Sequence, residues 1–231
     1  MIRRRWPALV LLGGVAACAA LAIAALSEPG ALDGSDGVLP LAVALVLLGY
    51  VVVAVIAVRD PASGQARGVA FGLAAGLMWL VEIAAGGPIF LSRVAEVAVG
   101  ATFALAAVAT TVVAGVWAAR HASAGVGLWT ATFAGLVSGV VVFIGGVAMT
   151  LTFMGRLGSR ADYQQQLTHS GLPSMRVFLV QDAVTGYGAH LLINPAIGLL
   201  GGVLGWRAFR ATEHLPRTAK RDHRKNGTSQ A

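Results

Sequence analysis

Six long apolar segments constrain this chain more than any other feature of its sequence. They fall near residues 8–26, 38–58, 69–87, 94–119, 126–154 and 187–206. Each has about the 20 residues that a helix needs to cross a bilayer, and the strict alternation of a barrel strand is missing. Helices also suit lipid because their backbone groups bond within one segment. The sequence therefore predicts an all-α, polytopic membrane protein with about six transmembrane helices.

The composition agrees with a membrane protein of one domain. Hydrophobic residues make up 57% of the 231 residues and charged residues only 12%, against about 25% charged in soluble domains. We expect a transmembrane domain over residues 1–210, with an outer loop at 155–186. A basic, disordered tail over residues 211–231 should follow it. Cys18 is the only cysteine, which excludes an internal disulfide.

Basic residues are distributed unequally between the two sides of the predicted membrane domain. With the N-terminus in the cytoplasm, the inner side holds thirteen of the 17 Lys and Arg and the outer side holds four. Because cytoplasmic loops carry the excess of Lys and Arg, we expect both termini in the cytoplasm. The bilayer would be the plasma membrane, in particular a bacterial inner membrane. The high pI reflects this topology and does not indicate nucleic-acid binding. The outer set is Arg93, Arg156, Arg160 and Arg176.

The first segment has a second interpretation. The stretch "MIRRRWPALVLLGGVAAC" has the basic start, apolar centre and small residues before Cys18 of a lipoprotein signal. The residues after Cys18 stay apolar, which favours an uncleaved transmembrane helix. Cleavage would leave five helices with the C-terminus still inside.

The stretch before the last apolar segment also has two interpretations. In "RVFLVQDAVTG", Val177, Val180 and Val184 share one helical face. The stretch forms either a short interfacial helix or an outward extension of the last transmembrane helix. Extension is favoured because only Gly186 and Gly188 interrupt the segment before it enters the predicted membrane.

Three polar residues at membrane depth form the candidate site. Glu82 lies about 8 Å below the outer end of the third segment, and His190 and Asn194 lie about 5 and 10 Å below that of the sixth. Ionisable residues in a bilayer are costly and usually have a partner or a function. A proton- or ligand-binding site made by Glu82, His190 and Asn194 is therefore one hypothesis. The alternative is structural, with Glu82 hydrogen-bonded to a neighbouring helix and Pro195 only bending the sixth helix and freeing the Leu191 carbonyl.

Glycines form a second pattern on the same two segments. They lie on one face of each helix, in the inner half of the membrane, and small residues there let helices approach closely. We expect the third and sixth helices to pack through these faces, which would bring Glu82 close to His190 and Asn194. The glycines are Gly68, Gly72 and Gly76 on the third segment and Gly198, Gly201 and Gly205 on the sixth.

The motifs favour no enzymatic function. The sequence has no Walker A, GxSxG, HExxH or CxxC motif, so we expect no catalytic residues, no metal site and no cofactor. The first functional hypothesis is a non-enzymatic accessory, regulatory or structural subunit that packs with other membrane proteins. The alternative is a small transporter or channel that uses Glu82, His190 and Asn194. The partners expected are the lipid bilayer, other membrane helices and, through the basic tail, anionic lipid.

Overall fold

The computed structural model describes residues 5–31, 38–59, 63–85 and 93–213, and within these ranges every regular element is a helix. Six of the eight helices, α1 to α5 and α8, are long and apolar enough to span a membrane. The prediction of an all-α protein with six candidate spans is confirmed. Residues 214–231, most of the predicted tail, lie outside the described ranges. The helices are α1 (Trp6–Leu26), α2 (Val38–Arg59), α3 (Gln65–Ala84), α4 (Arg93–His121), α5 (Ala124–Thr152), α6 (Met154–Gly158), α7 (Ala161–Ser170) and α8 (Met175–Glu213).

The last helix is much longer than its apolar part. α8 runs without a break through Gly186, Gly188 and Pro195 and has 39 residues. At 1.5 Å per residue it is about 58 Å long, roughly twice the thickness of a hydrocarbon core. The stretch from Val177 to Val184 is therefore an extension of the last span and not a separate interfacial helix.

α5 lies at the centre of the bundle. It packs against α1, α3, α4 and α8. In the apolar stretch that defines each span, 67% of the residues are buried in α5, whereas 22–33% are buried in the other spans. Lipid tails are as apolar as leucine, so membrane helices associate mainly through close packing of their surfaces. α5 suits this position because small residues occur on more than one of its faces: Gly135, Gly139 and Gly146 lie against α8, whereas Ala134 lies against Gly72 of α3.

α2 lies at the periphery of the bundle. Its buried side is a single stripe formed by Val43, Leu47, Tyr50, Ala54 and Ala57. The remaining circumference exposes large apolar side chains, among them Leu41, Leu45, Leu48 and Val52. Exposed leucine and valine along a helix of this length are suited to contact with lipid acyl chains.

α1 joins α2 to the central helix. Cys18 is fully buried, and its sulfur lies 4.0 Å from the Val140 carbonyl oxygen of α5. Gly14 faces the same residue, because a Cβ added to Gly14 would lie 2.6 Å from Cγ1 of Val140. Cys18 therefore occupies a packed position between α1 and α5 in the interior of the bundle.

The predicted outer loop contains two helices and the start of α8. Leu157, Phe178 and Leu179 form a small hydrophobic cluster that joins α6 to α8. Val177, Val180 and Val184, which the sequence places on one face, are all buried. Residues 155–186 thus form a mostly helical cap, in which α6 packs against the start of α8 and α7 has no fully buried residue.

Polar contacts connect this cap to the segment that follows α1. Arg176 forms an ion pair with Glu28 at 2.6 Å, and the Gln181 side chain donates a hydrogen bond to the Ala31 carbonyl oxygen at 2.7 Å. Within the cap, Arg160 donates hydrogen bonds to Asp162 and thereby lowers the pKa of that carboxyl. At this end of the bundle, two arginines therefore have carboxylate partners.

Candidate polar site between α3, α5 and α8

Asn194 is the most buried polar residue of the candidate site. Its side chain is 2% exposed, and its Nδ2 donates a hydrogen bond to Oγ of Ser138 on α5 at 3.1 Å. Its Oδ1 lies 3.5 Å from Nδ1 of His190, one turn earlier on α8. The structure therefore brings two of the three predicted site residues together and adds Ser138, a buried residue that the sequence analysis did not select.

His190 connects this chain of contacts to α3. Its ring meets the ring of Trp79 edge to face, with 4.8 Å between the centroids. Such contacts add about 0.5–1.5 kcal/mol to the burial of the two rings. Trp79 lies one turn before Glu82, so the same part of α3 carries both the indole and the carboxyl.

Glu82 lies near the contacts of His190 and Asn194 but takes no part in them among the described residues. Its side chain is half-buried and faces α4, where a Cβ added to Gly100 would lie 3.7 Å from Cγ of Glu82. Among the described residues, no hydrogen bond or ion pair joins Glu82 to His190 or Asn194. Residues 86–92, which follow α3, lie outside the described ranges. The three side chains thus share one half of the bundle without forming a single bonded group.

A second polar contact lies closer to the start of α8. The hydroxyl groups of Tyr187 and Thr150 are 3.4 Å apart, and the Tyr187 ring packs on Gly146 of α5. Tyr187 and Asn194 are seven residues, or about 10 Å, apart along the helix. Polar groups therefore follow the α5–α8 interface from Tyr187 and Thr150 to Asn194 and Ser138.

The glycines of α3 pack against α5. A Cβ added to Gly72 would lie 2.7 Å from the Ala134 carbonyl oxygen, and one added to Gly76 would lie 2.7 Å from Cβ of Val141. Gly68 lies equally close to Phe133. This face is a surface of close helix approach, but its neighbour is α5.

The glycines of α8 pack against α5 and α4. Gly198 lies against the Ala131 carbonyl of α5, whereas Gly201 and Gly205 lie against Val112 and Gly115 of α4. Direct pairing of the third and sixth spans through glycine, as expected from the sequence, is not observed. The two faces cannot meet because α5 and α4 occupy them.

Tyr50 supplies the interaction that sequence reasoning missed. Pro195 has no N–H, so the Leu191 carbonyl four residues earlier loses its helical donor. The Tyr50 hydroxyl of α2 donates a hydrogen bond to this carbonyl at 2.9 Å. Gly139 leaves the space for it, since a Cβ there would lie 2.6 Å from the Tyr50 oxygen. The sequence signal was present: a freed carbonyl needs a donor, and Tyr50 is a hydroxyl in the middle of an apolar span.

These contacts define a class of protein: a six-span helical membrane protein with a hydrogen-bonded polar cluster in one half of its bundle. Within the described ranges, no group of three or more His, Cys, Asp or Glu residues could hold a metal ion. Comparison with protein-family models, curated proteins and solved structures finds no match.

Proposed function

We propose that this chain is a non-enzymatic accessory or structural subunit of the plasma membrane, in bacteria the inner membrane, with both termini in the cytoplasm. It would pack through α1 against a helix of another membrane protein. The observation that carries this proposal is a stripe of small residues on the outward side of α1.

The stripe, which we call the α1 small-residue face, consists of Gly13, Ala17, Ala20 and Ala24, all exposed. Their spacing of four, three and four residues keeps them on one line of a helix that packs at a shallow crossing angle. Nothing lies within 4 Å of a Cβ added to Gly13. A second membrane helix can therefore approach the α1 backbone closely along this line.

The interior of the bundle supports the same proposal. The glycine faces of α3 and α8 are already in contact with α4 and α5, so they offer no surface to a partner. The buried polar groups Asn194, Ser138 and Tyr50 bond to one another or to the backbone, as groups that stabilise a fold do.

The test compares capture of partner proteins by matched variants of the full-length chain. Ala17→Leu with Ala20→Leu places bulk on the α1 small-residue face, and Ala109→Leu places it on an exposed position of α4. A membrane protein captured in stoichiometric amount by the wild type and by Ala109→Leu should be lost from the α1 variant. Equal capture by all three, or a lone monomer in mild detergent, would contradict the proposal.

The polar cluster favours a small transporter as the second candidate. His190, Asn194 and Ser138 are connected in one half of the bundle, with Glu82 nearby, while glycine-mediated contacts close the other half. Polar and ionisable groups within the spans are typical of solute and proton pathways in membrane proteins.

Flux into proteoliposomes separates the two candidates. A transporter that uses this cluster should show solute or ion flux that depends on pH between about 5 and 8, because histidine titrates there. Glu82→Gln and His190→Ala should each reduce the flux, whereas Ala109→Leu should not. If no flux is found, or if neither substitution changes it, the transporter candidate is excluded.

A further inference from the structure

A groove opens between the start of α5 and the end of α8, at the surface of the bundle. It has a volume of about 370 Å³ and is lined by Ala124, Gly125, Leu128, Gly202, Val203 and Trp206. Apart from the Trp206 N–H, these residues offer only apolar side chains and backbone to the groove. Leu128 and Val203 are each more than 40% exposed, so the groove is open to its surroundings. Its size and lining suit part of an acyl chain.

Positive charge lies at the end of this groove. The Arg210 guanidinium stacks over the Trp206 ring at 4.0 Å from its centroid, and Arg207 is exposed one position after Trp206. Neither arginine forms an ion pair with a described carboxylate, unlike Arg160 and Arg176 at the opposite end. A guanidinium binds phosphate through two parallel hydrogen bonds, and tryptophan is favoured at the level of lipid headgroups.

We propose that this groove binds an anionic phospholipid from the adjacent leaflet. One acyl chain lies between α5 and α8, and the phosphate contacts Arg207 and Arg210. The acyl chain packs against the exposed side chains of Leu128 on α5 and of Val203 and Trp206 on α8. The site is formed by the folded helices and is distinct from the contact expected of the tail. It does not depend on which partner or solute the protein handles.

Trp206 makes the proposal measurable because brominated acyl chains quench tryptophan fluorescence on contact. The full-length protein is reconstituted into phosphatidylcholine vesicles that contain either brominated phosphatidylglycerol or brominated phosphatidylcholine. The difference between the wild type and Trp206→Phe isolates the signal of Trp206. We expect phosphatidylglycerol to bind more tightly than phosphatidylcholine, with each arginine contributing about a fivefold preference. High salt should reduce that preference.

Three variants assign the binding to this groove. Arg207→Gln should lower the preference about fivefold while leaving the stack of Arg210 on Trp206 in place. Gly125→Leu should fill the groove and weaken quenching by both lipids, since nothing lies within 4 Å of a Cβ added there. Gly49→Leu, at an equally open glycine on α2, is the matched control. It should change neither the preference for phosphatidylglycerol nor the quenching by either lipid.

Several results would overturn the proposal. Equal affinity for the two lipids would mean that the arginines do not select a headgroup. Unchanged quenching in Gly125→Leu would mean that the lipid lies outside the groove. Absence of quenching by either lipid would mean that another helix, from a partner or from a second copy of the chain, covers Trp206.

Discussion

At the scale of single residues, the contact between Tyr50 and Leu191 explains how a proline is tolerated inside a long membrane helix. Lipid offers no donor to a freed carbonyl, so the protein must supply one. The donor comes from α2, 141 residues away in sequence, and the proline therefore couples a peripheral helix to α8. Loss of this hydrogen bond should destabilise the fold, because the buried Leu191 carbonyl is left without a donor.

Tyr50→Phe should lower the free energy of unfolding by about 1 kcal/mol, in the range of hydrogen bonds measured in membrane proteins. The loss is read from denaturant or thermal unfolding of the purified protein in mild detergent. The control is Pro195→Ala, which restores an N–H four residues after Leu191. In that background, Tyr50→Phe should cost clearly less. An equal cost in both backgrounds would show that the tyrosine does not act through the freed carbonyl.

The buried asparagine shows what sequence reasoning can and cannot reach at this scale. Asn194 and His190 were selected because polar residues in lipid need partners, and both are partnered. Ser138 and Tyr50 were not selected, since the sequence does not show which group on another helix each hydroxyl meets. The bonds between these residues join α5 to α8 and α2 to α8, and helical periodicity within one segment carries no information about contacts between segments.

At the scale of helices, the bundle is organised by close approach of glycine to backbone. Gly135 of α5 lies against the Asn194 carbonyl, and Gly198 of α8 lies against the Ala131 carbonyl. Each helix thus has a glycine where the other presents its backbone. A methyl group at either position would force α5 and α8 apart, and the cost would spread over their whole interface.

Gly135→Ala and Gly198→Ala should therefore each lower the free energy of unfolding by roughly 2 kcal/mol or more. Gly13→Ala and Gly49→Ala are the matched controls, because a Cβ at these exposed glycines has nothing within 4 Å. The controls should be neutral or slightly stabilising, since alanine is the better helix former. Unfolding in detergent measures all four. Equal changes in the free energy of unfolding for the two interface variants and the two controls would contradict the packing described for α5 and α8.

Helix periodicity predicts which face of a helix is special but not which helix packs against it. The glycine faces of α3 and α8 were visible in the sequence, and both are surfaces of close approach. Their neighbours could not be predicted, because α5 presents small residues in several directions and can serve as the partner of both. The six spans could be predicted from segment length because a bilayer sets a minimum length for a spanning helix. The short helices α6 and α7 have no such constraint and lie in a stretch that was predicted only as an outer loop.

At the scale of the whole molecule, six membrane spans would place both termini on one side of the membrane. The excess of arginine and lysine predicts that this side is the cytoplasm. A phosphatase fused after Ala231, which is active only outside the cytoplasm, should be inactive, and a fluorescent protein at the same position should be bright. A phosphatase fused after Ser159, in the cap, is the positive control. An active phosphatase after Ala231 would reverse the expected topology.

The central structural claim is that α5 holds the bundle together and that α3 and α8 do not pair through their glycines. Cysteine cross-linking in native membranes tests it directly, in a Cys18→Ala background. Ideal Cβ positions are 3.7 Å apart for Gly14 and Val140 and 3.6 Å apart for Gly202 and Leu128, within the range of a disulfide.

Gly14→Cys with Val140→Cys, and Gly202→Cys with Leu128→Cys, should therefore cross-link rapidly under mild oxidation and tie α5 to α1 and to α8. Gly72→Cys with Gly198→Cys should stay reduced, because α5 lies against both of these glycines. Fast cross-linking of Gly72→Cys with Gly198→Cys, together with none for the two α5 pairs, would contradict the account.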